Sequence, residues 1–92
     1  MNVEIRQHLV SVAQSTQTRE ILTFLYRDRP QGASFEGVKE TLFLHDAFRE
    51  EMLTALVQAR VLAFDGARYT LAAPARQVLD RDPTILMDEF LR

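Results

Sequence analysis

The stretch RVLAFDGARYTLA, residues 60–72, constrains most tightly what this chain can fold into. Two β-prone runs flank Asp65-Gly66, a pair suited to a two-residue turn in which both central residues need positive φ. The pairing this implies sets Phe64 against Ala67, Leu62 against Tyr69 and Ala63 against Arg68. Leu62, Phe64 and Tyr69 then point inward, while Arg68 and Thr70 face solvent. The remainder of the chain reads as helix.

Residues 2–14 place Ile5, Leu9 and Val12 at helical spacing, with Asn2 at the N-cap position. The polar run STQT (15–18) interrupts that pattern and offers Thr16 or Thr18 as a second cap. REILTFLYRD then carries Ile21, Leu22, Phe24 and Leu25, and Pro30 ends it because the residue before a proline avoids helical backbone. Ser34 caps a short helix with Phe35, Val38 and Leu42 inward, and Gly37 within it suggests close packing. A longer helix is expected over 46–60, capped by Asp46, with Phe48, Met52, Ala55, Leu56 and Ala59 on its apolar face. Leu53 and Val57 extend that face on one flank. After the hairpin, Pro74 suits the first turn of a further helix, Asp82-Pro83 breaks it, and Thr84 caps a last helix, TILMDEFLR.

The order is helix, helix, short helix, longer helix, hairpin, and one or two more helices. Three helices running directly into a tight hairpin are the winged helix-turn-helix arrangement, mainly α with a small β-hairpin. Ninety-two residues allow one domain. It divides into an N-terminal helix (1–15), a winged-helix core (16–79) and a C-terminal helix (80–92), so an extra helix stands at each end.

Residues 19–79 also resemble the winged-helix domain of small ArsR/MarR/PadR-type transcription regulators. REILTFL is similar to the phrase that packs the first helix of such domains. LTALVQARVLAF resembles the end of their reading helix, with Leu53, Leu56, Ala59, Val61 and Leu62 on its apolar positions and Arg60 where a Gly is usual. RYTLAAPARQVL resembles their exit from the wing, with Ala72 for the usual Thr and Ala75 for the usual Gly. The resemblance implies a homodimer that sets helix 46–60 in the major groove and the wing tip, Phe64–Arg68, against the flanking backbone. It also implies a dimer interface built by the terminal helices. Ile5, Leu9, Val12, Ile85, Leu86 and Phe90 are the candidates for that interface.

Charge complicates the DNA reading. Net charge is −2 and the pI about 5.6, so no global field draws nucleic acid. The outward residues expected on helix 46–60 are Glu50, Glu51, Thr54, Val57 and Gln58, with none basic. Acids in a first helical turn suit the macrodipole, which is the plain structural account of them. The candidate DNA contacts are Lys39, Arg49 and Arg68 for phosphates, with Thr54 and Gln58 for bases. The alternative is a winged-helix protein–protein interaction module that does not bind DNA.

Other chemistry is poorly represented. No Cys is present, and His8 and His45 are the only histidines, so neither a metal site nor any other cofactor is expected. No catalytic group is indicated: Ser11 and Ser34 have no activating base, and no Gly-rich phosphate loop exists. The first residues lack an apolar leader, and no run reaches the length of a membrane span. A cytoplasmic protein with duplex DNA or a protein as partner, and no membrane, is the expectation.

Overall fold

A computed structural model describes residues 3–44 and 48–87 of the chain. Helix α1 spans Val3–Val12 and α2 spans Thr16–Thr23. The latter widens into a π-helical turn, Phe24–Asp28, closed by the Arg29 amide on the Phe24 carbonyl at 2.8 Å. Helix α3 is Phe35–Thr41, α4 is Glu50–Gln58, and strands β1 (Leu62–Phe64) and β2 (Tyr69–Leu71) pair antiparallel. Helix α5 (Ala73–Arg81) and a 3-10 turn, Pro83–Leu86, follow. The fold is mainly helical with a small antiparallel hairpin, an order of elements consistent with a winged-helix-like fold.

Local chemistry explains the helix starts. Ser15, rather than Thr16 or Thr18, caps α2, its Oγ accepting from the Thr18 amide at 3.3 Å. Ser34 caps α3 in the same way through the Gly37 amide at 3.0 Å. Ile21, Leu22, Phe24 and Leu25 are all buried, as their spacing predicts.

Helix α4 departs from expectation. It begins at Glu50, after an extended Arg49, so Phe48 lies outside it; the proposed cap Asp46 lies outside the described residues. Phe48 still enters the core, only 3% exposed, from the extended segment, and stacks on Phe35 with ring centroids 5.4 Å apart. Without Phe48 on the helix, Leu53 and Leu56 set its buried face. The helix is therefore rotated by roughly 100°, one residue step, from the expected orientation. Met52 (46% exposed) and Ala55 are turned outward.

The hairpin register also differs. The observed partners are Leu62↔Leu71, Ala63↔Thr70 and Phe64↔Tyr69. The chain reverses one residue later than expected because the Asp65 carboxylate accepts from the Ala67 and Arg68 amides, both at 2.8 Å. That side-chain closure leaves Gly66 as the only turn residue at positive φ (+102°). The slip shifts each pair by two residues, so each side chain keeps its face. Phe64 nevertheless stays 46% exposed, lying against the Tyr69 ring at 4.4 Å instead of in the core.

A third extended segment joins the hairpin. Ala33 exchanges backbone hydrogen bonds with Tyr69 at 3.0 and 2.7 Å. Gly32, at φ +101°, makes the approach possible: a Cβ there would meet Thr70 Cγ2 at 2.5 Å and the Tyr69 carbonyl at 2.9 Å.

The terminal layer holds five of the six residues expected at a dimer interface. Ile5 and Leu9 are buried in the chain's own core, where α1 packs on α5, and Val12, Ile85 and Leu86 pack half-buried against it. The sixth, Phe90, lies outside the described residues. The last helix, expected to be capped by Thr84, is within the described residues a single 3-10 turn that ends at extended Met87. No helix among the described residues is long and apolar enough to cross a membrane.

Candidate nucleic-acid interface

Tyr69 joins the hairpin to helix α4. Buried at the start of β2, its hydroxyl donates to Glu50 Oε2 at 2.6 Å in the first turn of α4. Burial first, and then this hydrogen bond, push the phenol above its ordinary pKa. Glu50 remains exposed, but one of its carboxylate oxygens is engaged by this bond. The neighbours in sequence of this bonded pair, Arg49 and Arg68, are both exposed. Among the described residues, no carboxylate lies within ion-pair distance of either.

The remaining candidate residues are dispersed. Lys39 sits half-buried on α3 with its ammonium 6.0 Å from the Phe35 ring centroid, so part of its charge serves an internal cation–π contact. The Thr54 hydroxyl donates to the Glu50 carbonyl at 3.3 Å, a helix-internal bond that competes with any base. Gln58 is exposed near the end of α4. The outward face of α4 thus presents Glu50, Glu51, Met52, Thr54, Ala55 and Gln58: both expected acids remain exposed, and Met52 and Ala55 join them.

Both ends of the helix-turn-helix unit close in an unusual way. The Val61 amide bonds the Leu56 carbonyl at 3.0 Å and the Arg60 amide bonds that of Val57 at 2.9 Å, the paired bonds that terminate a helix through a left-handed residue. Arg60, at φ +65°, occupies the position that a glycine usually takes. Helix α3 ends identically, with Phe43 at φ +56° and its side chain 92% exposed. An aromatic residue held in left-handed backbone and presented to solvent adds nothing to the core. Sequence reasoning passed over Phe43, which it placed inside a helix expected to run through FEGVKETLFL (35–44); the observed helix ends at Thr41.

Sequence reasoning also missed Arg29. Pro30 presets a tight turn closed by the Gly32 amide on the Arg29 carbonyl at 2.9 Å, and the Ala33–Tyr69 bridge lays that turn along β2. The result is a cleft of about 260 Å3 between this turn, α3 and the wing, with Arg29 and Arg68 in its walls. Among the described residues no group of His, Asp or Glu side chains is arranged to hold a metal. His45 lies outside the described residues, and His8 is spent structurally, its Nδ1–H donating to the Ala59 carbonyl at 2.8 Å. Comparison with family models, with curated proteins and with solved structures finds no match to this chain.

Proposed function

We propose that the chain is a DNA-binding transcription regulator of winged-helix type, acting in the cytoplasm as a homodimer. The observation that carries this reading is the Tyr69–Glu50 hydrogen bond. It engages one of the two acids in the first turn of α4 and ties the hairpin to that turn, with two exposed cations, Arg49 and Arg68, beside the bonded pair at the junction of reading helix and wing. Phosphate contacts need cations at such a junction, and Gln58 supplies a side chain able to read adenine. Dimerisation would use what α1 leaves outside, Val3 and Val10, because its inner face is occupied.

The test is anisotropy of a labelled generic duplex titrated with protein at several salt concentrations. Binding that weakens steeply with salt, and that Arg68→Ala reduces evenly across sequences, supports the reading. Glu51→Gln should tighten it. Absence of binding at low salt rejects it.

A protein-interaction module is favoured by one specific observation, the fully exposed Phe43. Exposed aromatics of this kind anchor protein interfaces. Phe43→Ala leaving DNA affinity unchanged while abolishing binding to a protein partner would assign the domain to that class.

A further inference from the structure

We infer that the cleft between the Arg29–Gly32 turn and the wing is a phosphate-binding site, with Arg29 and Arg68 as its two anchoring cations. The inference rests on the cleft itself and holds whether or not the chain binds DNA. Arg29 and Arg68 are far apart in sequence and reach one cleft because Ala33 and Tyr69 are paired. The turn's approach is not adjustable, since Gly32 lies where any larger residue would strike Thr70 and the Tyr69 carbonyl.

The charge pattern points to an anion. Among the described residues no carboxylate lines the cleft, although the chain as a whole carries more acids than bases. Arg29 is held with its guanidinium 6.0 Å from the centroid of the Phe24 ring, which orients it without neutralising it. Arg68 has only the longer-range attraction of Asp65, whose carboxylate is committed to the Ala67 and Arg68 amides. Gln31, Ser34 and Thr41 add hydrogen-bonding side chains to the walls. Two guanidinium groups that share a cleft without a counter-ion repel each other, and a phosphate accepting from both relieves that repulsion. The volume admits a phosphate with room for part of whatever bears it.

Such a phosphate has two sources, the backbone of a duplex and a free phosphorylated small molecule. Inorganic phosphate and pyrophosphate, titrated into the full chain and followed by amide shifts, should perturb Gly32, Ser34, Gly37 and Arg68 saturably. Arg29→Gln and Arg68→Gln should each weaken that binding about tenfold or more, the loss of one charge-assisted hydrogen bond. Arg81→Gln, an exposed arginine on α5, should leave it unchanged.

Duplex DNA titrated across salt concentrations separates the sources. A salt slope that falls by about 0.9 in both cleft variants, and not in Arg81→Gln, identifies a backbone phosphate. Phosphate binding in the cleft with unchanged salt slopes, or with no DNA binding at all, identifies a free phosphorylated ligand; in the latter case the DNA reading fails and the cleft stands. Cleft amides that do not move with phosphate, together with identical salt slopes for all three variants, overturn the inference.

Discussion

The two sides of this molecule use their polar side chains differently. On the side where α1 and α5 meet, several polar side chains hold the fold. The Arg6 guanidinium pairs with Asp82 at 2.6 Å, and His8 bonds the end of α4. Tyr26 donates to Asp80 at 2.5 Å, and Arg76 bonds the Leu25 and Tyr26 carbonyls at 3.2 and 3.4 Å. On the side formed by the Arg29 turn, the wing and the start of α4, three exposed arginines have no ion-pair partner among the described residues. The first side spends its charge internally and is closed. The second keeps cations available, which is where a ligand gains most.

Leu9→Ala would break the closed side and should have the largest effect. The residue is fully buried on α1, the helix that packs on α5, so truncation should cost about 2–5 kcal/mol in urea unfolding. That cost should not depend on protein concentration; a concentration-dependent loss would return Leu9 to an interface between copies.

Gly32→Ala strikes the open side. The added methyl collides with β2 at a positive φ, and a destabilisation of about 2–4 kcal/mol is expected from strain and overpacking. Phosphate binding in the cleft should be lost with it, while the amide shifts of α1 and α5 stay close to wild type.

Tyr69→Phe is subtler. Loss of the hydrogen bond to Glu50 should cost about 1 kcal/mol at neutral pH. Because the folded protein raises the Tyr69 pKa, its contribution is complete below the ordinary tyrosine pKa of about 10 and is lost as pH rises through the higher folded value. Wild-type stability should therefore fall above about pH 10 more steeply than that of Tyr69→Phe. Equal slopes would mean that the phenol is no better protected in the fold than in the unfolded chain.

The smallest effects lie at the two helix ends. Arg60→Gly and Phe43→Gly each relieve a left-handed non-glycine residue and should stabilise by about 0.5–1 kcal/mol, read as a rise in Tm. If Phe43→Gly stabilises and also removes a binding activity, the strain at Phe43 is retained for function.

Several elements were legible because their causes are local. Ser34 announces α3 by its spacing to Gly37, Pro30 ends the preceding helix, and the apolar period of 21–25 marks buried positions directly. The hairpin was visible in Asp65-Gly66, but its register was not, because an Asp there can either enter the turn at positive φ or close it with its carboxylate. The candidate residues fared unevenly. Arg49 and Arg68 are exposed as expected, whereas Thr54 and Lys39 are partly engaged within the fold.

The sequence by itself determined the order of elements and the presence of a reversal around Asp65-Gly66, since caps, prolines and apolar periodicity act over a few residues. Tertiary structure alone decided how α4 is rotated, that α1 packs on α5, and that Arg29 stands beside Arg68. Each of these depends on which distant surface wins a buried face: Phe48 packs on Phe35 from outside the helix, α5 packs on α1, and Ala33 pairs with Tyr69. Such choices compare contacts between segments tens of residues apart, and no local spacing encodes their outcome.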